Sequence, residues 1–116
     1  MKIIAAEYRG FCYGVKRAVA MAEECIGKPG EIHTLGPIIH NPQMVKHLSE
    51  QGINVANDLS EVSDHSTVII RSHGVEPEVY KEAENKKLHI MDATCPHVKK
   101  AQHAAHQLLE DGYTVV

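Results

Sequence analysis

Two cysteines and two histidines stand in short glycine- or proline-bearing segments, apart from the apolar runs. They are Cys12 in Gly10-Phe11-Cys12-Tyr13-Gly14, His40 in Gly36-Pro37-Ile38-Ile39-His40-Asn41-Pro42, His73 in Arg71-Ser72-His73-Gly74-Val75 and Cys95 in Asp92-Ala93-Thr94-Cys95-Pro96. Thiolates hold soft metals and iron–sulfur clusters, whereas imidazoles serve metals or anions, so a cleft built from these segments could take two kinds of partner. Free cysteine is also among the residues most often buried. A glycine-flanked loop is a poor place for core packing, which favours a ligand role for Cys12, and the Cys-Pro step before a helix favours the same for Cys95. Cys25 has no such loop around it and reads as packing. A lone loop histidine is more often structural than catalytic, yet the matching positions of His40 and His73 add weight to a binding role. Asp92, Thr94 and Arg71 share these segments but have ordinary uses as turn former, cap and surface charge.

The elements that must position these residues are legible as an alternation. Short runs rich in β-branched residues alternate with amphipathic segments, the pattern of β–α–β units and a parallel sheet, so the expected fold class is α/β. Strands are expected over 2–6, 31–34, 67–70 and 89–92, with another starting at Thr114 and a short extended piece over 53–56. Val15, Ala18, Val19, Ala22 and Ile26 recur at helical spacing, which predicts a helix over 14–26 stopped by Gly27 and Pro29. A second helix is expected from Asn41-Pro42 to near Gly52, a cap followed by proline in the first turn, and a third over 76–86. A fourth is expected from Pro96 to Gly112, with Val98, Ala101, Ala105 and Leu108 on one face. Each chemical segment then follows a strand and precedes a helix, which in open α/β sheets is the carboxyl edge where ligands bind. Helix N-termini at that edge favour anions by roughly 0.3–1 kcal/mol per exposed charge interaction, so a phosphate would suit it.

Composition narrows the classes. The 116 residues, 43% of them hydrophobic, suffice for one core, and a formal net charge of -3 gives no general basic surface for nucleic acid. Lys2, Glu7 and Arg9 interrupt the first ten residues, so no signal peptide or membrane span is expected and a cytoplasmic location is. Three cysteines make a disulfide framework unlikely there, leaving metal ligation or burial to account for them. Among nine histidines, His47, His65, His103 and His106 lie in polar surroundings and are expected to face solvent. Gly112-Tyr113-Thr114-Val115-Val116 reads as a turn entering a strand that stops as it starts, which leads to the expectation of a longer parent protein.

The segments GFCYGVKRAV, GPIIHNPQ, IIRSHGV and DATCPHVKK, in this order and spacing, closely resemble the N-terminal part of the LytB/IspH family, the (E)-4-hydroxy-3-methylbut-2-enyl diphosphate reductases of the non-mevalonate isoprenoid pathway. The resemblance spans the chain. It implies a three-lobed α/β fold, with residues 1–95 as a first lobe and 96–116 as the start of a second. It also implies a four-iron four-sulfur (4Fe-4S) cluster held by one cysteine per lobe, Cys12 and Cys95 matching the first two. His40 and His73 match histidines that hold the substrate diphosphate. The implied reaction is reductive removal of an allylic hydroxyl to give isopentenyl and dimethylallyl diphosphate, with electrons from a ferredoxin or flavodoxin. The third cluster cysteine, a further histidine and the acidic proton relay of that pattern have no counterpart here, so no catalytic residue is assigned and the chain alone is expected to be inactive. Three other readings stay open: a non-catalytic zinc-binding module using Cys12, Cys95 and nearby histidines; a nucleotide-binding domain, although Gly10 and Gly14 match neither the dinucleotide fingerprint nor the P-loop; and a structural or interaction domain with no ligand, which leaves the four edge segments unexplained.

Overall fold

The computed structural model describes every residue, Met1–Val116. Its centre is a sheet of four short strands, β1 (Ile32–Leu35), β2 (Ile53–Ala56), β3 (Thr67–Ile70) and β4 (His89–Asp92). They are parallel and lie in the order β2-β1-β3-β4. Ile32 pairs with both Ile53 and Thr67, and Thr67 with His89, so the strands start and end level. Level ends make one straight carboxyl edge.

Side chains that alternate along each strand feed two separate cores. Ile32, Ile53 and Ile69 pack with Ala18, Val19 and Ala22 of α1 (Tyr13–Glu23) and Leu48 of α2 (Pro42–Glu50). Leu35, Val68 and Ile70 point the other way, onto Ala83 of α3 (Pro77–Asn85) and Leu59 of a single 3-10 turn (Leu59–Glu61). Such two-sided burial is what parallel strands require. The chain therefore leaves β1 toward one face and β3 toward the other, and the sheet has a topological switch point between these neighbours.

The helix starts follow local chemistry. Asn41 accepts a hydrogen bond from the Met44 amide at 3.0 Å with Pro42 next in line, while Pro77 opens α3 and Pro96 opens α4 (Pro96–Glu110). No helix is long and apolar enough to cross a membrane.

Several expectations need correcting. Residues 2–6 form no strand: residues 1–10 are all exposed, with Ile3 at 82% and Ile4 at 79%. Ile3-Ile4-Ala5-Ala6 is a continuous apolar run, and neither a pairing strand nor a covering face meets it. The strand expected at Thr114 is likewise absent. Helix α1 stops at Glu23 because 24–27 tighten into turns, from which Ile26 still reaches the core and so extends the apolar periodicity. Helix α4 forms as expected; on its apolar face Val98 and Ala105 are partly covered, Ala101 and Leu108 are exposed, and no residue of the helix is buried. The 3-10 turn, capped by the Asp58 carboxylate on the Ser60 amide at 2.7 Å, was not foreseen.

Candidate functional site

The loops that follow β1 and β3, the two strands at the switch point, carry His40 and His73. Their rings stack, with centroids 5.3 Å apart and planes inclined by 24°. Both side chains are exposed and so available to a ligand.

Cys12 and Cys95 occupy equivalent places, as the N-cap residues of α1 and α4. Neither sulfur makes a capping hydrogen bond, so both thiols stand free at the positive ends of helices, where negative charge is favoured. The two helix starts touch. A Cβ at buried Gly14 would lie 2.5 Å from the Cys95 sulfur and 2.9 Å from its Cβ, so only glycine lets the first turn of α1 rest on Cys95. Tyr13 and His97 meet edge to face at 6.2 Å across the same junction.

Three further contacts fix the Cys95 loop. The Cys95 amide donates to the Ser72 carbonyl at 2.9 Å, which ties the thiol loop directly to the His73 loop. Arg17 of α1 donates to the Thr94 carbonyl at 3.3 Å. Asp92 accepts on Oδ1 from the Thr94 amide (3.0 Å) and hydroxyl, and on Oδ2 from Lys99 Nζ (2.6 Å) and the Tyr80 hydroxyl (3.3 Å). Burial pushes the Asp92 carboxyl up, but the hydrogen bonds from Lys99 and Thr94 outweigh it and hold the group below the usual carboxylate range. Burial and the Asp92 charge together push the Tyr80 phenol up.

Cys25 lies elsewhere. It is fully buried, donates weakly to the Met21 carbonyl at 3.4 Å, and burial pushes its thiol up. Its reading as a packing residue fits that environment, and no group of three or more His, Cys, Asp or Glu side chains converges anywhere in the chain. His47, His65, His103 and His106 are exposed. On the α3 side of the switch point a cleft of about 720 Å³ opens, lined among others by Gly36, Arg71, His73 and Gln102.

The residues that sequence reasoning set aside or overlooked are the ones that hold the loop. Asp92-x-Thr94 has the spacing of a side chain that bonds its own backbone two residues on, a signal that could have marked it. Lys99, Tyr80 and Arg17 carry no such mark.

The family described as LytB protein matches residues 3–116. A 4-hydroxy-3-methylbut-2-enyl diphosphate reductase of Geobacter metallireducens is 53% identical over 116 residues, all of this chain and 41% of that protein. One of Trichlorobacter lovleyi is 55% identical with the same coverage. Among solved structures, the E-1-hydroxy-2-methyl-but-2-enyl-4-diphosphate reductase of Plasmodium falciparum superposes with a TM-score of 0.87 at 35% identity, over 92% of this chain and 34% of that one. A structure described as (E)-4-hydroxy-3-methyl-but-2-enyl diphosphate reductase, the terminal enzyme of the non-mevalonate pathway, gives 0.82 at 49% identity, over 96% and 40%. The chain thus spans about two-fifths of the length of the curated relatives it matches.

Proposed function

The chain belongs to the LytB protein family, and on that footing we propose that it forms the cluster-binding and diphosphate-binding start of a 4-hydroxy-3-methylbut-2-enyl diphosphate reductase. The observation that carries this reading is the meeting of four distant segments at one sheet edge, with the Cys95 loop hydrogen-bonded to the His73 loop at 2.9 Å.

The donor set suits an iron–sulfur cluster in kind. Two thiols, neither committed to a hydrogen bond as a cap, stand at adjoining helix starts. The site is incomplete in number, because Cys25 is buried in the core and no third ligand joins the pair. The third thiolate is assigned to sequence other than these 116 residues, and α4, with no buried residue, to the start of a second lobe from residue 96. When bound, a 4Fe-4S cluster supplies electrons and a Lewis acid for removing an allylic hydroxyl. A ferredoxin or flavodoxin is the proposed electron donor, and the cytoplasm the proposed location.

The residues of this chain bind and orient. His40 and His73, stacked and exposed, hold the diphosphate by charge-assisted hydrogen bonds. Cys95 is fixed relative to them through Ser72, so anchoring the tail of the substrate sets where its allylic end lies with respect to the thiols. Asp92 and Arg17 prevent the thiol loop from drifting.

The test is anaerobic iron–sulfur reconstitution of the full-length protein, with absorption and electron paramagnetic resonance spectra and an assay on the allylic diphosphate. Cys12→Ser and Cys95→Ser are expected to lose cluster and activity, while Cys25→Ser keeps both. A colourless protein that holds zinc tightly instead would overturn the proposal in favour of a zinc module.

A further inference from the structure

Arg71 is a cation without an anion. It is the first residue beyond β3, half buried, and its Nε is buried with no hydrogen-bond partner. Lys46, Lys86 and Lys99 each have a carboxylate within 4 Å; Arg71 has none. Its head is also given room. Gly36, at φ +69°, faces the guanidinium so closely that a Cβ there would sit 2.9 Å from Nη1. That backbone region favours glycine, so conformation and space both demand it at this position.

The guanidinium lies in the cleft at the switch point, where the loops after β1 and β3 part. His73 lines the same cleft two residues along and stacks on His40. Glu76 is the one carboxylate in the lining and makes no ion pair with Arg71. A half-buried guanidinium whose buried Nε has no partner gains by meeting an anion, and the planar fork of arginine matches phosphate oxygens in a way a point charge does not.

We propose that Arg71 is a third phosphate-binding residue, whose guanidinium takes an oxygen of the diphosphate alongside His40 and His73. This rests on the proposed function, and it adds to the two histidines a group that keeps its charge at every physiological pH.

The test is calorimetric titration of the full-length protein with inorganic pyrophosphate, for the wild type and the Arg71→Gln, Arg71→Lys and His73→Gln variants. Iron loading and thermal unfolding are followed in parallel. Arg71→Gln is expected to bind about 10- to 100-fold more weakly, the loss that goes with one charge-assisted hydrogen bond. Arg71→Lys should recover part of it. Iron loading and melting should be unchanged in both. If Arg71→Gln binds like the wild type while His73→Gln does not, the arginine inference fails and the diphosphate site stands. If Arg71→Gln instead melts early with its affinity intact, Arg71 answers a structural carboxylate, which also overturns the inference. If the wild type itself does not bind pyrophosphate, both the inference and the diphosphate site fall, and retained iron loading would leave only the cluster half.

Discussion

Replacing Gly14 by alanine would set a methyl group 2.5 Å from the Cys95 sulfur and 2.9 Å from its Cβ. Ordinary contact between heavy atoms is about 3.5–4.0 Å, so the first distance is short by about 1 Å and the second by about 0.6 Å. Rotation of the thiol relieves the first clash. It cannot relieve the second, because Cβ moves only with the backbone. The Cys95 loop is held on its other side by Ser72, Asp92 and Arg17, so the start of α1 gives way and carries Cys12 with it. Two terms oppose each other in stability. Alanine in a helix gains about 0.5–1 kcal/mol over glycine, and overpacking costs about 1–3 kcal/mol, for a net loss between about 0 and 2.5 kcal/mol. For a protein of the relatives' length, melting then falls by about 2–4 °C for each kcal/mol. The larger effect falls on the spacing of the two thiols. Iron and sulfide content after anaerobic reconstitution of full-length Gly14→Ala should drop well below wild type while scanning fluorimetry shows only this modest change. A variant that loads iron normally and melts higher, as helix propensity alone dictates, would refute the reasoning.

Two other predictions concern stability. Asn41→Ala removes the cap on the Met44 amide and should cost about 1 kcal/mol by denaturant unfolding, whereas Asn41→Asp keeps the acceptor and most of the stability. Asp92 is held below the usual carboxylate range, so its contribution is present at neutral pH and is lost as the pH falls from about 5 through the lowered folded value. Asp92→Asn should therefore melt below wild type at neutral pH, and the gap should narrow in acid; a gap independent of pH would count against the carboxylate's charge.

What could be read from the sequence was local. Strands β2, β3 and β4 were delimited by β-branched runs between turn residues, and the starts of α2, α3 and α4 by Asn41-Pro42, Glu76-Pro77 and Pro96. Placing His40, His73 and Cys95 at one edge followed from strand-then-helix order alone, whereas Cys12, with no strand before it, reaches that edge through the packing of Gly14 on Cys95. That His40 meets His73 did not follow from that order, since it depends on β3 lying beside β1 rather than beyond β2. The contact of Arg17 with Thr94 spans 77 positions, and that of Tyr80 with Asp92 joins two elements, so neither leaves a trace in local pattern. Residues 2–6 fail for the converse reason: their composition is that of a packed strand, and no packing partner meets them.

The level register of the sheet has a consequence for handling the protein. All four strands begin at the opposite margin, entered through residues 27–31, 51–52, 63–66 and 86–88, and no cysteine or histidine of the candidate site lies there. Exposed turns are where inserted sequence is best tolerated. An epitope, a fluorophore or an immobilising tether grafted at Gly52 or Asp64, both exposed, would sit a full strand length from the thiols. Spectroscopic labels can thus be placed without perturbing the chemistry they report on.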